Sequence, residues 1–246
     1  MKDTTAPMDP RRHLPLEGTL NVRDLGGYDT ADGRTTQWRR FLRADGLHQL
    51  ADSARDELLD LGLRTVVDLR RDRELAERPS VFATTEGVHY RQVDYVGESP
   101  IDPSQPLLEG AERTGDIYCQ WLEVRRDAVR DTLRALAAPG AVPALFNCAA
   151  GKDRTGVTAA LLLGLAGVPD DVIAEDYGLS GWFLVHRLEE DDPRTAEEYQ
   201  EQASPRRAME IVLEHLNGKY GGSEPFVRTI GLTAEEVARL RAGLLD

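Results

Sequence analysis

The segment at residues 147–156, with the sequence NCAAGKDRTG, lies between an apolar run and a helical pattern. The run at residues 142–146 has the length and composition of a buried strand, and apolar residues continue at helical spacing to Leu165. In a strand, tight loop and helix, the loop amides and the positive end of the helix dipole converge, which favours a dianionic phosphate. The sequence therefore predicts an anion site in residues 148–154.

Short apolar runs alternate with helical patterns along the rest of the chain. The predicted strands are residues 40–44, 65–69, 89–95 and 142–146. The predicted helices cover residues 114–137, run from near Arg154 to Gly167, begin at Pro169, and follow a capping box formed by Thr233 and Glu236. This alternation predicts an α/β fold with a central, mostly parallel sheet flanked by helices, followed by a helical C-terminal region.

The domain organisation follows from length and local composition. A chain of 246 residues with 41% hydrophobic residues can bury the core of a single domain, which we assign to residues 19–246. Residues 1–18 contain three prolines among polar residues and are predicted to form a flexible leader. Residues 186–201 carry seven acidic residues and two arginines. This segment is interpreted either as a solvated excursion or as a mobile lid insertion at residues 178–205.

The formal net charge of −13 argues against nucleic acid or an anionic membrane as a partner, because such partners bind basic surfaces. An anion site in this chain must therefore be a local concentration of donors. No apolar run approaches the length of a membrane span, and no apolar core of signal-peptide type precedes Leu20. Two cysteines are too few for a disulfide framework of the kind found in oxidising compartments. Together these three observations predict a cytoplasmic location.

Two residues of the loop have the chemistry to act on a bound phosphate. Cys148 stands at its start, where a helix N-terminus and nearby cations favour the nucleophilic thiolate. Arg154, six positions later, can grip two phosphate oxygens with its planar fork. The Thr155 hydroxyl could donate to the sulfur. The small residues that let the backbone approach a phosphate are Ala149, Ala150 and Gly151.

The Cx5R spacing in this setting resembles the protein tyrosine phosphatase superfamily. CAAGKDRTG is similar to the HCxAGKDRTG loop of the atypical bacterial tyrosine and lipid phosphatases of the mycobacterial phosphatase B type. The resemblance extends over residues 19–246. It rests on NVRDLGGY at residues 21–28, residues 39–46, TVVDLR at residues 65–70 with Glu74, Asp176-Tyr177 with Ser180, residues 209–220 and residues 230–232.

The resemblance implies a phosphatase that hydrolyses phosphotyrosine through a phosphocysteine intermediate, without a metal or other cofactor. Cys148 would be the nucleophile, Arg154 the phosphate clamp and Asp153 the general acid. Its substrate would be a phosphorylated protein or a small phosphoester. Asn147 departs from the family pattern, which has histidine there; asparagine offers a donor and an acceptor without positive charge, so we expect a slower enzyme.

Three assignments within the site have structural alternatives. Asp153 precedes a helix and could be its N-cap rather than an acid. Asp68, at the end of a predicted strand, is the reserve candidate for the acid, or else a structural partner of a loop arginine. Lys152 could contact the phosphate or a second anionic group of the substrate, or be solvated.

The overall function also has alternatives. A dual-specificity or phosphoinositide phosphatase would use Lys152 to bind a polyanionic headgroup. A membrane would be a partner only if the substrate were such a phosphoinositide. A pseudophosphatase that binds phosphorylated partners without turnover is suggested by Asn147, whereas the presence of both Cys148 and Arg154 argues against it. A sulfurtransferase with Cys148 as persulfide carrier would not explain the whole GKDRTG run.

Overall fold

The computed structural model describes residues 8–97, 109–186 and 205–245 of the chain. Its sheet has five strands, β1 (Arg23–Asp24), β2 (Phe41–Ala44), β3 (Thr65–Asp68), β4 (His89–Gln92) and β5 (Ala144–Asn147). The strand order is β1-β2-β5-β3-β4, and every pairing is parallel except that between β1 and β2. The predicted mostly parallel sheet is therefore confirmed. Only β1, with two residues, was missed, because so short a strand has no periodicity.

The register brings the carboxyl ends of the four parallel strands to one edge of the sheet. Asn147 of β5 lies opposite Ala44 of β2 on one side and Asp68 of β3 on the other. Asp68 in turn lies opposite Gln92. Ligand sites of parallel sheets form at this edge, and the segment after Asn147 begins at its centre.

Nine helices occur in the described ranges. They are α1 (Asp52–Asp60), α2 (Asp72–Glu77), α3 (Gly110–Val124), α4 (Arg126–Leu136), α5 (Asp153–Ala166), α6 (Asp170–His186), α7 (Arg206–Tyr220), α8 (Ser223–Thr229) and α9 (Ala234–Leu245). The helices predicted from near Arg154, from Pro169 and after Thr233 are confirmed, and the Thr233–Glu236 capping box forms in both directions. None of these helices is long and apolar enough to cross a membrane.

The helices cover both faces of the sheet. Because strand side chains alternate, Val67 and Phe146 point into a large core with α3 to α9, while Val66 and Leu145 point into a smaller core with α1. Helix α5 lies inside the larger core, and nearly all of its residues are buried. The buried helix holds the segment after β5 in place from its far end.

Two helices replace the single helix predicted for residues 114–137. The chain leaves helical geometry at Arg125, where φ is −115° and ψ is 36°. The Arg125 guanidinium donates to the Asp94 carbonyl at 2.9 Å, which ties this position to the segment after β4. The prediction of one helix was wrong because apolar periodicity continues across a single non-helical residue.

The predicted flexible leader is wrong for residues 8–18. Leu14 and Leu16 are buried in the smaller core, and the Leu14 amide donates to the Val22 carbonyl. Arg12 lies 3.5 Å above the Tyr28 ring and donates to the Gly26 carbonyl. The prolines prevent regular structure here, but the two leucines still bury apolar surface. Residues 1–7 lie outside the described residues.

The predicted lid insertion at residues 178–205 is wrong at its start. Residues 178–186 continue α6, and Ser180, Phe183 and Leu184 are buried in it. Pro205 is the N-cap of α7. The acidic segment lies outside the described residues from position 187 to position 204.

Leu16→Ala should lower the free energy of unfolding by about 2–4 kcal/mol, since it removes a buried side chain and leaves a cavity. Urea unfolding of the two proteins measures this difference. The matched control is Val124→Ala, at a valine with 60% exposure, which should change stability by less than about 0.5 kcal/mol. Equal effects of the two substitutions would mean that residues 8–18 do not pack as described.

Candidate active site

The loop at residues 148–152 connects β5 to α5 at the carboxyl edge of the sheet. Cys148 begins the loop and is 1% exposed. Gly151 has a φ of 66°, and a Cβ at this position would lie 2.7 Å from the Ala44 carbonyl. Other residues avoid this backbone conformation and carry a Cβ, so glycine is required here. The loop therefore packs directly against the end of β2.

Three consecutive carbonyls of the loop are bonded to groups from the N-terminal part of the chain. The Ala149 oxygen accepts from the Gly46 amide at 2.9 Å, and the Ala150 oxygen accepts from Asn21 Nδ2 at 2.9 Å. The Gly151 oxygen accepts from Arg43 Nη2 at 2.8 Å. In a trans peptide the following N–H points opposite to the carbonyl. We infer that the next three amides point to the other side together, as in an anion-binding nest.

Arg43 belongs to a buried charge network beneath the loop. Arg43 and Arg23 both pair with the Asp176 carboxylate, and all three side chains are at most 1% exposed. Burial opposes ionisation of Asp176, but the two guanidiniums outweigh it and hold its pKa below the usual value. Burial and the Arg43 charge lower the pKa of Arg23 to about 9, which leaves it protonated at neutral pH. Two cations and one carboxylate favour an anion bound above them.

Arg154, the second residue of α5, reaches back across the sheet edge to Glu74 of α2. Its Nη1 donates to Glu74 Oε2 at 2.7 Å and its Nη2 to Oε1 at 3.0 Å, while the Leu69 carbonyl also accepts from Nη1. Burial acts to lower the pKa of Arg154, but its interactions with Cys148 and Glu74 outweigh burial and raise the pKa. The guanidinium is therefore held in one plane, within electrostatic reach of the sulfur, and keeps further N–H donors.

Asp153 lies at the first position of α5 with 35% side-chain exposure. The Tyr118 hydroxyl donates to its Oδ1, and Lys152 Nζ lies 3.6 Å from the same oxygen. The N-cap of α5 is Lys152, without a side-chain cap bond, so the alternative that Asp153 is the N-cap is wrong. Its carboxyl is partly exposed and lies within electrostatic reach of Arg154, a position that suits the predicted general acid.

The sequence profile of the tyrosine phosphatase family matches residues 14–246, which includes the loop and all five strands. The chain belongs to this family. It is 32% identical over 217 residues to the tyrosine-protein phosphatase of Nostoc commune, covering 83% of this chain and 74% of that one. It is 28% identical to the triple specificity protein phosphatase PtpB of Mycobacterium tuberculosis, covering 95% and 99%. The resemblance inferred from the loop is thus confirmed.

A solved structure is also similar to this tyrosine phosphatase family member. The crystal structure of P. aeruginosa TpbA is 21% identical, with a TM-score of 0.38, and the match covers 78% of this chain and 98% of that one. The family match and the strand order, rather than this low score, identify the fold of the phosphatase.

Three further residues in or next to the loop of the phosphatase are buried. Lys152 is 7% exposed, so its interpretation as a solvated lysine is wrong. The Thr155 hydroxyl is fully buried and makes no hydrogen bond to any described residue, so the predicted bond to the sulfur is not formed here. Asn147 is also fully buried; its Nδ2 donates weakly to the Cys148 carbonyl at 3.4 Å, and its Oδ1 has no partner within the described ranges.

Asp68 is engaged in a buried ion pair. Its Oδ1 accepts from Arg70 Nε at 2.9 Å, and its Oδ2 accepts from Arg70 Nη2 at 2.7 Å and from the Tyr90 hydroxyl at 3.1 Å. Both oxygens are occupied and the residue is fully buried. This geometry favours the structural alternative for Asp68 over its assignment as reserve general acid.

Other possible ligand sites of the phosphatase lie away from the loop. A cavity of about 600 Å³ is lined by Thr65 and His89, which begin β3 and β4, with Arg91 and Arg134. Because it lies at the amino end of these strands, it does not adjoin Cys148. The described part of the chain contains no group of three or more His, Cys, Asp or Glu side chains able to hold a metal ion.

Four residues that contact the loop or its side chains were missing from the predicted site. They are Asn21, Arg43, Glu74 and Tyr118. Asn21, Arg43 and Glu74 stand in the motifs that carried the resemblance, but nothing in the sequence shows which residues they touch. Tyr118 lies within the helix predicted for residues 114–137, and nothing in the sequence shows that its hydroxyl reaches Asp153.

Asn21→Ala should weaken binding of vanadate, a phosphate mimic, by about 5- to 10-fold, because it frees the Ala150 carbonyl and loosens the nest. Isothermal titration with orthovanadate measures the change. Asn217→Ala, which removes an asparagine bonded to Asp170 on α6, is the matched control and should bind vanadate normally. Unchanged affinity of Asn21→Ala would contradict the role given to the outward hydrogen bonds.

Glu74→Gln should lower kcat/KM on p-nitrophenyl phosphate by about 10-fold. The new amide group presents a donor to the Arg154 guanidinium, so one of the two hydrogen bonds between these side chains is lost. Steady-state kinetics measure the change. The matched control is Glu77→Gln, at an exposed glutamate of the same helix, which should keep the native kcat/KM. An increase in kcat/KM would mean instead that Glu74 competes with the substrate for Arg154.

Proposed function

We propose that this protein is a protein tyrosine phosphatase that hydrolyses phosphotyrosine through a phosphocysteine intermediate on Cys148. The observation that carries the proposal is the position of Cys148 at the start of a loop with three outward-tied carbonyls, beside Arg154. Family membership and the names of the relatives support the same reaction.

In the first step the Cys148 thiolate attacks phosphorus, so that the S–P bond forms as the P–O bond to the tyrosine oxygen breaks. The inward amides and Arg154 meet the negative charge on the three equatorial oxygens, a role in which one donor can contribute about 3 kcal/mol. Asp153, in its protonated form, gives its proton to the leaving oxygen. Free tyrosine hydroxyl departs.

In the second step a water molecule attacks phosphorus and the S–P bond breaks. The Asp153 carboxylate now accepts the proton of the water, which restores the acid. The Thr155 hydroxyl, buried without a partner among the described residues, is suited to donate to the sulfur as the thiolate leaves. Inorganic phosphate is the second product.

Substrate breadth is the finer part of the proposal. We favour phosphotyrosine in a protein over a phosphoinositide, because the net charge of −13 opposes approach to an anionic membrane. The burial of Lys152 within the loop and the name of the PtpB relative favour the broader alternative, a dual-specificity or phosphoinositide phosphatase. Both cysteines are free thiols, which suits the reducing cytoplasm that we propose as its location.

Cys148→Ser should abolish turnover by about 10³-fold or more, because a hydroxyl is a far weaker nucleophile at neutral pH. Cys119→Ser is the matched control and should retain activity: burial raises the pKa of Cys119 to about 12, so this thiol stays protonated. Assays with chelator on p-nitrophenyl phosphate, phosphotyrosine and phosphoserine peptides and soluble phosphoinositides measure rate and preference.

Retained turnover in Cys148→Ser would overturn the proposal. Phosphopeptide binding without turnover by the native protein would identify a pseudophosphatase, and transfer of sulfur from thiosulfate to cyanide would identify a sulfurtransferase. Faster turnover of phosphoinositides than of phosphotyrosine would assign the lipid substrate class.

A further inference from the structure

A chain of two tyrosine hydroxyls ends on the Asp153 carboxyl. Tyr118 of α3 and Tyr177 of α6 are each 1% exposed, and their hydroxyl oxygens are 2.9 Å apart. The Tyr118 hydroxyl also contacts Asp153 Oδ1. Side chains of three helices, α3, α5 and α6, thus meet in one hydrogen-bonded network, which the proposed reaction has not yet used.

The hydrogen bonds that link Tyr177, Tyr118 and Asp153 can run in only one direction when Asp153 is ionised. A carboxylate accepts hydrogen bonds and cannot donate, so Tyr118 donates to Asp153. The Tyr118 oxygen then accepts from the Tyr177 hydroxyl. Burial, followed by the nearby Asp153 charge, raises the pKa of both tyrosines above the usual value, so both remain protonated donors.

The two oxygens of Asp153 have different surroundings. Within the described ranges, the recorded partners of this carboxyl, the Tyr118 hydroxyl and Lys152 Nζ, both lie at Oδ1. The charged groups that face it are Lys152, the N-cap of α5, and Arg154 on α5 itself. The hydroxyls of Tyr118 and Tyr177 face it from α3 and α6. With Oδ1 occupied by donors, Oδ2 is the oxygen left to carry a proton.

Packing fixes the position of both rings. The Tyr118 ring stacks on Trp121 with centroids 5.2 Å apart and meets the Tyr177 ring edge-on at 6.1 Å. The Tyr177 ring lies so close to Gly156 of α5 that a Cβ there would be 2.7 Å from it. The hydroxyls therefore have little freedom relative to the start of α5, where Asp153 is located.

We propose that Tyr118 is a positioning residue for the general acid: its hydroxyl, anchored by Tyr177, holds Oδ1 of Asp153 so that Oδ2 carries the transferable proton. The inference rests on the proposed function, in which Asp153 protonates the leaving group. It assigns no proton transfer to Tyr118 itself. Its consequence is that the loss of the tyrosine hydroxyl affects only steps that need the acid.

Tyr118→Phe tests this inference with two aryl phosphates. Phenyl phosphate needs a proton at its leaving oxygen, whereas 2,4-dinitrophenyl phosphate releases a stable anion. We expect kcat of the variant to fall by about 10-fold on phenyl phosphate and by less than about 2-fold on the dinitrophenyl ester.

The matched control is Tyr95→Phe, a fully buried tyrosine that packs edge-on against the same Trp121. It should behave as the native protein on both substrates. Tyr177→Phe keeps its ring on Gly156 and should show the same leaving-group dependence at about 2- to 3-fold, which provides a second variant if Tyr118→Phe folds poorly. Vanadate affinity should be unchanged in all three.

A double mutant separates positioning from general disruption. Asp153→Asn alone should lower kcat on phenyl phosphate by about 10²-fold, and adding Tyr118→Phe should cost nothing more. Equal losses on both esters, additive losses in the double mutant, or native rates in Tyr118→Phe would each overturn the inference. If Asp153→Asn itself shows no leaving-group dependence, the acid assignment fails first, and the inference fails with it.

Discussion

The buried pair of Arg43 and Asp176 joins the sheet, the phosphate loop and α6. Arg43 uses one guanidinium to meet the Asp176 carboxylate, the Gly151 carbonyl and the Ser180 hydroxyl. Removing one partner of such a pair costs about 3–5 kcal/mol, because it leaves an uncompensated charge in the interior. Because Arg43 also binds the Gly151 carbonyl, the network fixes which way that loop peptide faces, and the proposed anion site depends on it.

Above this network, the residues proposed to react are held by residues that have no proposed chemical role. Glu74 orients Arg154, Tyr118 contacts Asp153, and Asn21 holds the Ala150 carbonyl. Each supporting residue comes from a different element and is at least partly buried. On the proposed function, a strongly acidic protein presents a local anion site because its donors are fixed before the substrate arrives.

The sequence allowed accurate prediction of elements with local signals. The strands at residues 41–44, 65–68 and 144–147, the α5 C-terminus at Gly167, and the Thr233 capping box all agree with the structure. Predictions that depended on packing were wrong. Leu14 and Leu16 are buried although the surrounding prolines resemble a linker, and Arg125 interrupts a pattern that remains periodic.

By itself the sequence determined which residues the proposed chemistry uses, because Cys148, Gly151, Asp153 and Arg154 lie within seven consecutive residues and their spacing is a local property. Only the tertiary structure decided what holds them. Asn21 and Arg43 are 129 and 108 residues from the carbonyls they bind, and Glu74 is 80 residues from Arg154. Such contacts arise from strand register and helix packing, which no single stretch of sequence encodes.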